Sequence, residues 1–155
     1  MKNNGEIIPK TDIRRFVYAH DMRIDGYSDA LTQIRRGKKT SHWIWYIFPQ
    51  LRGLCHSAFS DYYGIANANE AKQFLCHKLL GKHLRTICSE LKTHTNKSIE
   101  DVFSPIDAMK LRSSMTLFDY ISPNDVFFDI LSFYYDGHLC NQTLAMLKQT
   151  DDNES

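Results

Sequence analysis

The chain has 155 residues, of which 43% are hydrophobic and 24% charged, and its formal net charge is +1. This length and composition are typical of one globular domain that buries its own core without disulfides or metals, and they exclude a disordered chain. The near-zero net charge does not favour binding to nucleic acid or to an anionic membrane through the field of the whole protein.

The ends of the chain and its cysteines bear on location. Residues 1–10 are polar and hold no apolar stretch of signal-peptide length, and the longest apolar run, 43–48, is too short to cross a bilayer. Four cysteines without a CxxC pair predict reduced thiols and no metal site. We therefore expect a cytoplasmic protein with a flexible arm at 1–10, one helical domain at 11–149 and a frayed acidic tail at 150–155.

Two short helices are predicted before residue 37. The first carries an apolar stripe at i, i+3, i+4 and i+7, and the second runs over 28–36. Gly37 then stands where a left-handed helix cap is typical. Four cations surround it, and we interpret them as charges that suit the negative end of the helix dipole rather than as a phosphate contact. The stripe consists of Ile13, Phe16, Val17 and His20, and the cations are Arg35, Arg36, Lys38 and Lys39.

The stretch 41–50, SHWIWYIFPQ, is the densest aromatic segment of the chain. Alternation would make it a strand and i, i+4 pairing would make it a helix, and such a short run does not separate the two by periodicity. No partner strand is apparent elsewhere in the sequence, so a lone strand would leave its backbone groups unpaired. We predict a buried helix, capped by Thr40 or Ser41 and ended before Pro49.

The second half of the chain carries further helix signals. A short helix is predicted near 57–63, a second opens at the Asn67 cap, and a third spans 79–92. Two similar tetrapeptides, SPID at 104–107 and SPND at 122–125, each predict a serine cap with proline at the first helical position. Asn141 is the predicted cap of the last helix. The sequence therefore predicts an all-α fold, a single compact domain of about six to eight helices.

The predicted helix after Pro105 carries a polar cluster within the string KLRSSMTLF at 110–118. Its spacing places Lys110, Ser113 and Ser114 on one face, with Arg112 and Thr116 on a neighbouring face. Two cations and three hydroxyls could bind an anionic group such as phosphate or carboxylate. The alternative is an ordinary helix edge, where the cations extend to solvent and the hydroxyls bond to backbone carbonyls.

The aromatic stretch could complete such a site. His42 is the candidate catalytic residue, since a histidine can exchange a proton near neutral pH. Trp43 and Trp45 could form a stacking wall, and Gln50 could form a hydrogen bond with a ligand. The alternative is a packed aromatic core in which His42 has a capping role.

Four strings together resemble one bacterial family, the domain of unknown function 1810. They lie at 15–20, 37–51, 77–81 and 110–118, and the likeness extends over about 12–148, although Lys78 stands where the family usually has proline. The resemblance implies no activity and no catalytic residue. Members of the family are sometimes labelled calpastatin, a disordered calpain inhibitor, and this aromatic-rich chain without repeats does not fit that label.

Two functions follow as hypotheses. The first is a pocket that binds, and in a stronger version transforms, a small anionic ligand such as a nucleotide or an ADP-ribose-like molecule. The alternative is a protein–protein interaction module that uses an aromatic-rich surface. The sequence specifies no cofactor and no metal ligand, and it does not favour a nucleic-acid or membrane partner.

Overall fold

The computed structural model describes residues 2–3 and 6–154, and the side chains of residues 7–150. Within these ranges the chain forms ten α-helices and one antiparallel pair of two-residue strands, so the all-α prediction is confirmed. The number of helices reaches ten because three of them have only four or five residues. The strands are β1 (Lys2–Asn3) and β2 (Glu6–Ile7), and the helices are α1 (Arg14–His20), α2 (Tyr27–Arg36), α3 (Ile44–Ile47), α4 (Ala58–Tyr62), α5 (Ala68–Cys76), α6 (Lys78–Leu91), α7 (Ile99–Phe103), α8 (Pro105–Ile121), α9 (Val126–Tyr135) and α10 (Asn141–Glu154).

The predicted arm and tail lie partly outside the described residues, which omit 1, 4, 5 and 155. At the end of the predicted arm, Ile8 is buried, and its carbonyl accepts a hydrogen bond from the Tyr62 hydroxyl at 2.7 Å. At the other terminus, the backbone of α10 continues to Glu154. The flexible arm and the frayed tail stay predictions.

Three predicted helix ends are confirmed by their hydrogen bonds or backbone angles. The Asn67 side chain accepts the Glu70 N–H at 2.9 Å, and the Ser104 hydroxyl accepts the Asp107 N–H at 3.4 Å. Gly37 has a φ of 84°, which is the left-handed conformation expected of a residue that ends a helix. These local signals fix where α5 and α8 begin and where α2 ends.

The prediction that Ser122 caps a helix is wrong. Ser122 instead ends α8, and its hydroxyl donates to the Asp125 carboxylate at 2.8 Å. α9 begins three residues later than predicted, with Asp125 as the cap that accepts the Val126 N–H at 2.7 Å. Asp is at least as good a cap as Ser, and the left-handed Asn124 (φ 63°) makes the turn that brings it to that position.

The aromatic stretch contains a helix, as predicted, but it is the single turn α3 and neither predicted cap is used. The side-chain oxygen of Gln33 accepts the N–H groups of Thr40 and Ser41 at 2.8 and 3.2 Å, and the Trp43 indole N–H at 2.8 Å. One carboxamide on α2 thus holds the segment that leads into α3, in place of a cap on α3 itself. The contact joins two different elements, and no cap pattern in the sequence signals it.

The core is organised around α8, which contacts α3, α5, α7, α9 and α10. Leu111, Met115 and Phe118 on this helix are fully buried. The Phe118 ring lies 5.6 Å from that of Phe74 and 5.5 Å from that of Phe127 between centroids. Since each such side chain stabilises the fold by about 1.5–3 kcal/mol on burial, α8 is a firmly held element for any site built on it.

A buried ion pair joins α1 to α5. The Arg15 guanidinium meets the Glu70 carboxylate through two bonds, at 2.9 and 3.1 Å, and it also donates to three backbone carbonyls. Both side chains are almost inaccessible, with 0% and 9% of their surface exposed. Every donor of this buried cation that the structure describes therefore has an acceptor, which is the usual condition for burying a charge.

Candidate functional site

A cleft of about 780 Å³ opens beside the first half of α8, and this volume lies within the range of small-molecule sites. Its other walls are the loop at 50–55 and the segment 137–142, which leads into α10. The lining residues are Gln50, Leu54, Cys55, Ile106, Met109, Lys110, Arg112, Ser113, Gly137, His138, Leu139, Cys140, Asn141 and Gln142.

One face of α8 forms the cleft wall. Ile106, Met109, Lys110 and Ser113 follow the i, i+3, i+4, i+7 pattern, so their side chains project from the same side of the helix. Ile106 and Met109 are 67% and 63% exposed, whereas Ser113 is 8% exposed. The wall is therefore apolar at its open end and polar at its inner end.

Arg112 is the cation of the cleft without a carboxylate partner. No acidic side chain among the described residues forms an ion pair with it, and its Nε is buried with no hydrogen-bond partner. Arg15 differs in this respect, because its buried donors are bonded to Glu70 and to backbone carbonyls. A buried donor left without an acceptor costs about 1–3 kcal/mol, more for a charged group.

Lys110 is the second cation of the cleft, and it is partly neutralised. Its Nζ lies 3.3 Å from Asp107 and 4.1 Å from the centroid of the Trp45 ring. Asp107 also pairs with Lys39 at 2.9 Å, so one carboxylate serves two ammonium groups. The three side chains together carry one net positive charge beside the cleft.

The electrostatic environment of the cleft is positive. Among the described residues that line it, Lys110 and Arg112 are cationic and none is aspartate or glutamate. The N-terminus of the 14-residue α10 also lies in the wall, at Asn141 and Gln142, and a helix N-terminus carries a partial positive charge. The side-chain charges and the helix dipole both favour an anion.

Cys140 occupies the position that precedes α10 in the cleft wall. Its N–H donates to the Thr116 hydroxyl at 2.9 Å, and its Sγ lies 3.4 Å from the Ser113 Oγ. Burial raises the pKa of the Cys140 thiol, but the hydrogen bond from Ser113, the nearby polar groups of Thr143 and the charge of Arg112 lower it, and the net pKa is below that of an ordinary cysteine. The thiolate is therefore stabilised at this point.

Two predicted site residues on α8 face the interior instead of the cleft. Ser114 is 0% exposed and its hydroxyl has no hydrogen-bond partner among the described residues, while Thr116 is 1% exposed. The Thr116 hydroxyl donates to the Arg112 carbonyl at 2.8 Å and accepts the Cys140 N–H. Thr116 thus connects the two walls of the cleft, and neither residue reaches its open space. The predicted common face fails for Ser114 because it lies one position, about 100°, beyond Ser113.

Of the site residues predicted in the aromatic stretch, one lines the cleft and the others do not. Gln50 lines the cleft, and its side-chain nitrogen lies 3.4 Å from the sulfur of Cys55. Trp43 is 0% exposed, so it offers no stacking surface to a ligand and no docking surface to another protein. Trp45 is half-buried beneath Lys110, and the exposed His42 does not line the cleft.

Several lining residues carry no signal in the sequence. Cys55, His138 and Cys140 are in no recognised ligand spacing, and the sequence predicts only reduced thiols for the cysteines. The predicted cap of α10 was Asn141, but the helix begins at Asn141 and Cys140 precedes it. Cysteine is not among the preferred cap residues, so the pattern favoured its neighbour.

Membrane-spanning helices and metal clusters are both absent from the described residues. No helix of this part of the chain is long and apolar enough to cross a membrane. No three histidine, cysteine, aspartate or glutamate side chains among these residues come together in a way that could hold a metal ion.

Comparisons with known proteins place the chain in a family. No curated protein matches it. It is similar to a solved structure, the conserved hypothetical protein Rv1873 from Mycobacterium tuberculosis, with 40% sequence identity and a TM-score of 0.83. The match covers 88% of this chain and 96% of that protein. Residues 10–147 match the family described as "Protein of unknown function (DUF1810)", and the chain belongs to that family.

Proposed function

We propose that the cleft beside α8 binds a small anionic molecule, with Arg112 as its principal charge contact. The observation that carries the proposal is the state of this arginine. Its Nε is buried without an acceptor, in a cleft whose described lining contains no carboxylate. A bound phosphate or carboxylate would give the guanidinium the anionic partner that no described side chain provides, in the two-pronged geometry that guanidinium groups favour.

The other polar groups of the cleft fit the same ligand. Ser113 and Gln50 can donate hydrogen bonds from two walls, and the N-terminus of α10 provides backbone N–H groups at Asn141 and Gln142. Lys110 adds charge that Asp107 neutralises only in part, because that carboxylate is shared with Lys39. Each of these groups favours an anion over a neutral molecule.

The size and the apolar rim of the cleft bear on the class of ligand. A volume of about 780 Å³ has room for more than an isolated phosphate. Nucleotides and ADP-ribose-like molecules remain in the proposed class. Since no Trp, Tyr or Phe side chain lines the described cleft, a base would lie against Ile106 and Met109 rather than between tryptophans. The proposal concerns binding, and it assigns no chemical step to His42.

A cytoplasmic location is part of the proposal. The four cysteines are free thiols, including the exposed Cys76 and the half-buried Cys55 and Cys140. Accessible thiols that stay reduced are typical of the reducing cytoplasm.

Thermal unfolding with ligand panels tests the proposal. Phosphate, pyrophosphate, AMP, ADP-ribose and citrate are compared with the neutral adenosine and ribose. A ligand that binds only the folded state at 100 times its Kd stabilises that state by about 2.7 kcal/mol. We expect anions to raise the Tm and the neutral compounds to leave it unchanged.

The matched variants are Arg112→Gln, Arg112→Lys and Arg35→Gln. Arg35 is an exposed cation outside the cleft, paired with Glu90 at 3.3 Å. We expect Arg35→Gln to keep the response to anions, Arg112→Gln to lose it, and Arg112→Lys to keep part of it. An equal response in Arg112→Gln and the unaltered protein would place the anion elsewhere and refute the proposal.

A further inference from the structure

Cys140 differs from the other cysteines in its surroundings. Cys88 is fully buried, and burial raises the pKa of its thiol. Cys76 is exposed at the end of α5, outside the cleft. Cys140 lies half-buried in the cleft wall, at the N-terminus of α10 and beside the cation of Arg112. A helix N-terminus and a neighbouring cation are the two surroundings that most commonly make a thiol reactive.

A second feature beside the sulfur points to a bound group. The Thr143 side chain is 0% exposed, and its hydroxyl forms no hydrogen bond of normal geometry with any described residue. The sulfur of Cys140 is the group with which this hydroxyl interacts. Together with the unpartnered Nε of Arg112, two buried polar atoms near one thiol lack a full partner.

We propose that Cys140 is a modification site, a reactive thiol that accepts a small anionic group by exchange with a low-molecular-weight disulfide. This inference rests on the anion-binding function proposed above, since Arg112 and the helix N-terminus would hold the anionic part of the incoming molecule. The chemical class is a disulfide RS–SR whose R group bears a carboxylate.

The exchange balances within the two reactants. The Cys140 thiolate attacks one sulfur of RS–SR, a Cys140 S–SR bond forms, and the S–S bond of the reagent breaks. The displaced RS⁻ takes a proton from water. Cys140 is oxidised by the reagent, which is reduced to one thiol, so no further oxidant is required. A cellular thiol can reverse the step by attacking the new disulfide.

The test compares Cys140 with Cys76 in the same fold. Cys55→Ser/Cys76→Ser leaves Cys140 and the buried Cys88, and Cys55→Ser/Cys140→Ser leaves Cys76 and Cys88. Serine is a good helix cap, so Cys140→Ser is expected to preserve α10. Each protein reacts with the anionic 5,5′-dithiobis(2-nitrobenzoate) or the neutral 4,4′-dithiodipyridine from pH 6 to 9. Rates come from thiol release, and the modified residue is identified by intact mass and peptide mapping.

We expect Cys140 to react faster than Cys76 at pH 6.5. Each unit of lowered pKa raises the thiolate fraction tenfold but weakens the nucleophilicity of the thiolate. The exchange rate therefore rises about threefold per unit. The advantage should be larger with the anionic reagent, and Arg112→Gln should remove that extra preference. Equal rates at Cys140 and Cys76 with both reagents would overturn the inference.

Failure of this inference and failure of the proposed function have different signatures. The Cys140→Ser variant keeps the cations of the cleft, so its Tm should still rise with pyrophosphate if the proposed function holds. A slow Cys140 together with that rise refutes the reactive thiol alone. The other outcome is a fast Cys140 that shows no preference for the anionic reagent, while pyrophosphate does not raise the Tm of Cys140→Ser. That result refutes both the anionic selectivity of the exchange and the binding function.

Discussion

The Oγ of Ser113 lies 3.4 Å from the Sγ of Cys140, although 27 positions separate the two residues in the sequence. One turn further along α8, the Thr116 hydroxyl accepts the Cys140 N–H at 2.9 Å. These contacts fix the N-terminus of α10 against the middle of α8, where Arg112 lies. The unpaired cation and the stabilised thiolate therefore lie close together where two walls of the cleft meet, and the packing of two helices creates the site.

Replacing Arg112 should not lower the free energy of unfolding. Arg112→Met removes an unpartnered buried donor and keeps an unbranched apolar stem, so we expect a free energy of unfolding that is unchanged or higher by up to about 1 kcal/mol. Arg15→Met is the control, and it should cost about 3–5 kcal/mol because Glu70 is left as an unpaired buried charge. Urea unfolding at pH 7 measures both. A large loss in Arg112→Met would show that its guanidinium has a structural partner.

The hydroxyls of Ser114 and Thr116 on α8, which face the protein interior, should differ in their contribution to stability. Ser114→Ala removes a buried hydroxyl without a partner, so the variant should be as stable as the unaltered protein or more so. Thr116→Val keeps the shape but removes the acceptor of the Cys140 N–H, and we expect a loss of about 1 kcal/mol. Thermal unfolding compares them. The opposite order would contradict the assignment of Thr116 as the connection between α8 and α10.

Stability should fall in acid because of His20. Burial lowers the pKa of this histidine to about 4, with further lowering by His83 and His77 and an opposing hydrogen bond to the Tyr46 carbonyl. Between pH 6.5 and pH 4 the unfolded chain therefore binds a proton that the folded chain does not. The contribution of His20 to the free energy of unfolding is largest above pH 6.5 and decreases as the pH falls through this window, by about 3 kcal/mol in total.

The control for this acid effect is His20→Gln. Glutamine can donate to the Tyr46 carbonyl, which lies 2.8 Å from the His20 Nε2, and it has no charge to gain. Its stability should be less dependent on pH between 6.5 and 4 than that of the unaltered protein. Chemical unfolding at half-unit pH steps measures both slopes, and equal slopes would mean that other groups cause the acid effect.

Asp107 should oppose anion binding. In Asp107→Asn the lysines at 39 and 110 lose their shared carboxylate, and the positive charge beside the cleft rises by one. We expect tighter binding of pyrophosphate, a gain that shrinks as salt is added, and a less stable fold. Asp129→Asn is the matched control, because Asp129 pairs with Lys92 and lies outside the cleft. Calorimetric titration measures both, and unchanged affinity in Asp107→Asn would contradict the electrostatic account.

The sequence was sufficient for the parts of the fold that depend on neighbouring residues. The apolar periodicity of α8 and the Ser104 cap specify one helix from its own residues, and the structure confirms them. The SPND tetrapeptide misled because the same residues also permit a turn with Asp125 as the cap. Local chemistry alone did not distinguish these alternatives.

The candidate site was only partly predictable, because its walls come from three distant segments. Lys110, Arg112, Ser113 and Gln50 were identified from residue type and spacing, and all four line the cleft. The contribution of Cys140 depends on the packing of α10 against α8, to which the sequence pattern gives no access. The burial of Trp43 away from the cleft likewise depends on tertiary contacts, among them its hydrogen bond to Gln33 on α2.

The most direct test of the anion-binding cleft is a pyrophosphate titration followed by the backbone amide resonances of the protein. We expect saturable shifts concentrated at Ser113 and over 137–142, and we expect Arg112→Gln to lose them. Shifts confined to the basic residues 35–39 would contradict the anion-binding cleft. So would the absence of shifts at pyrophosphate concentrations that saturate a site with a millimolar Kd.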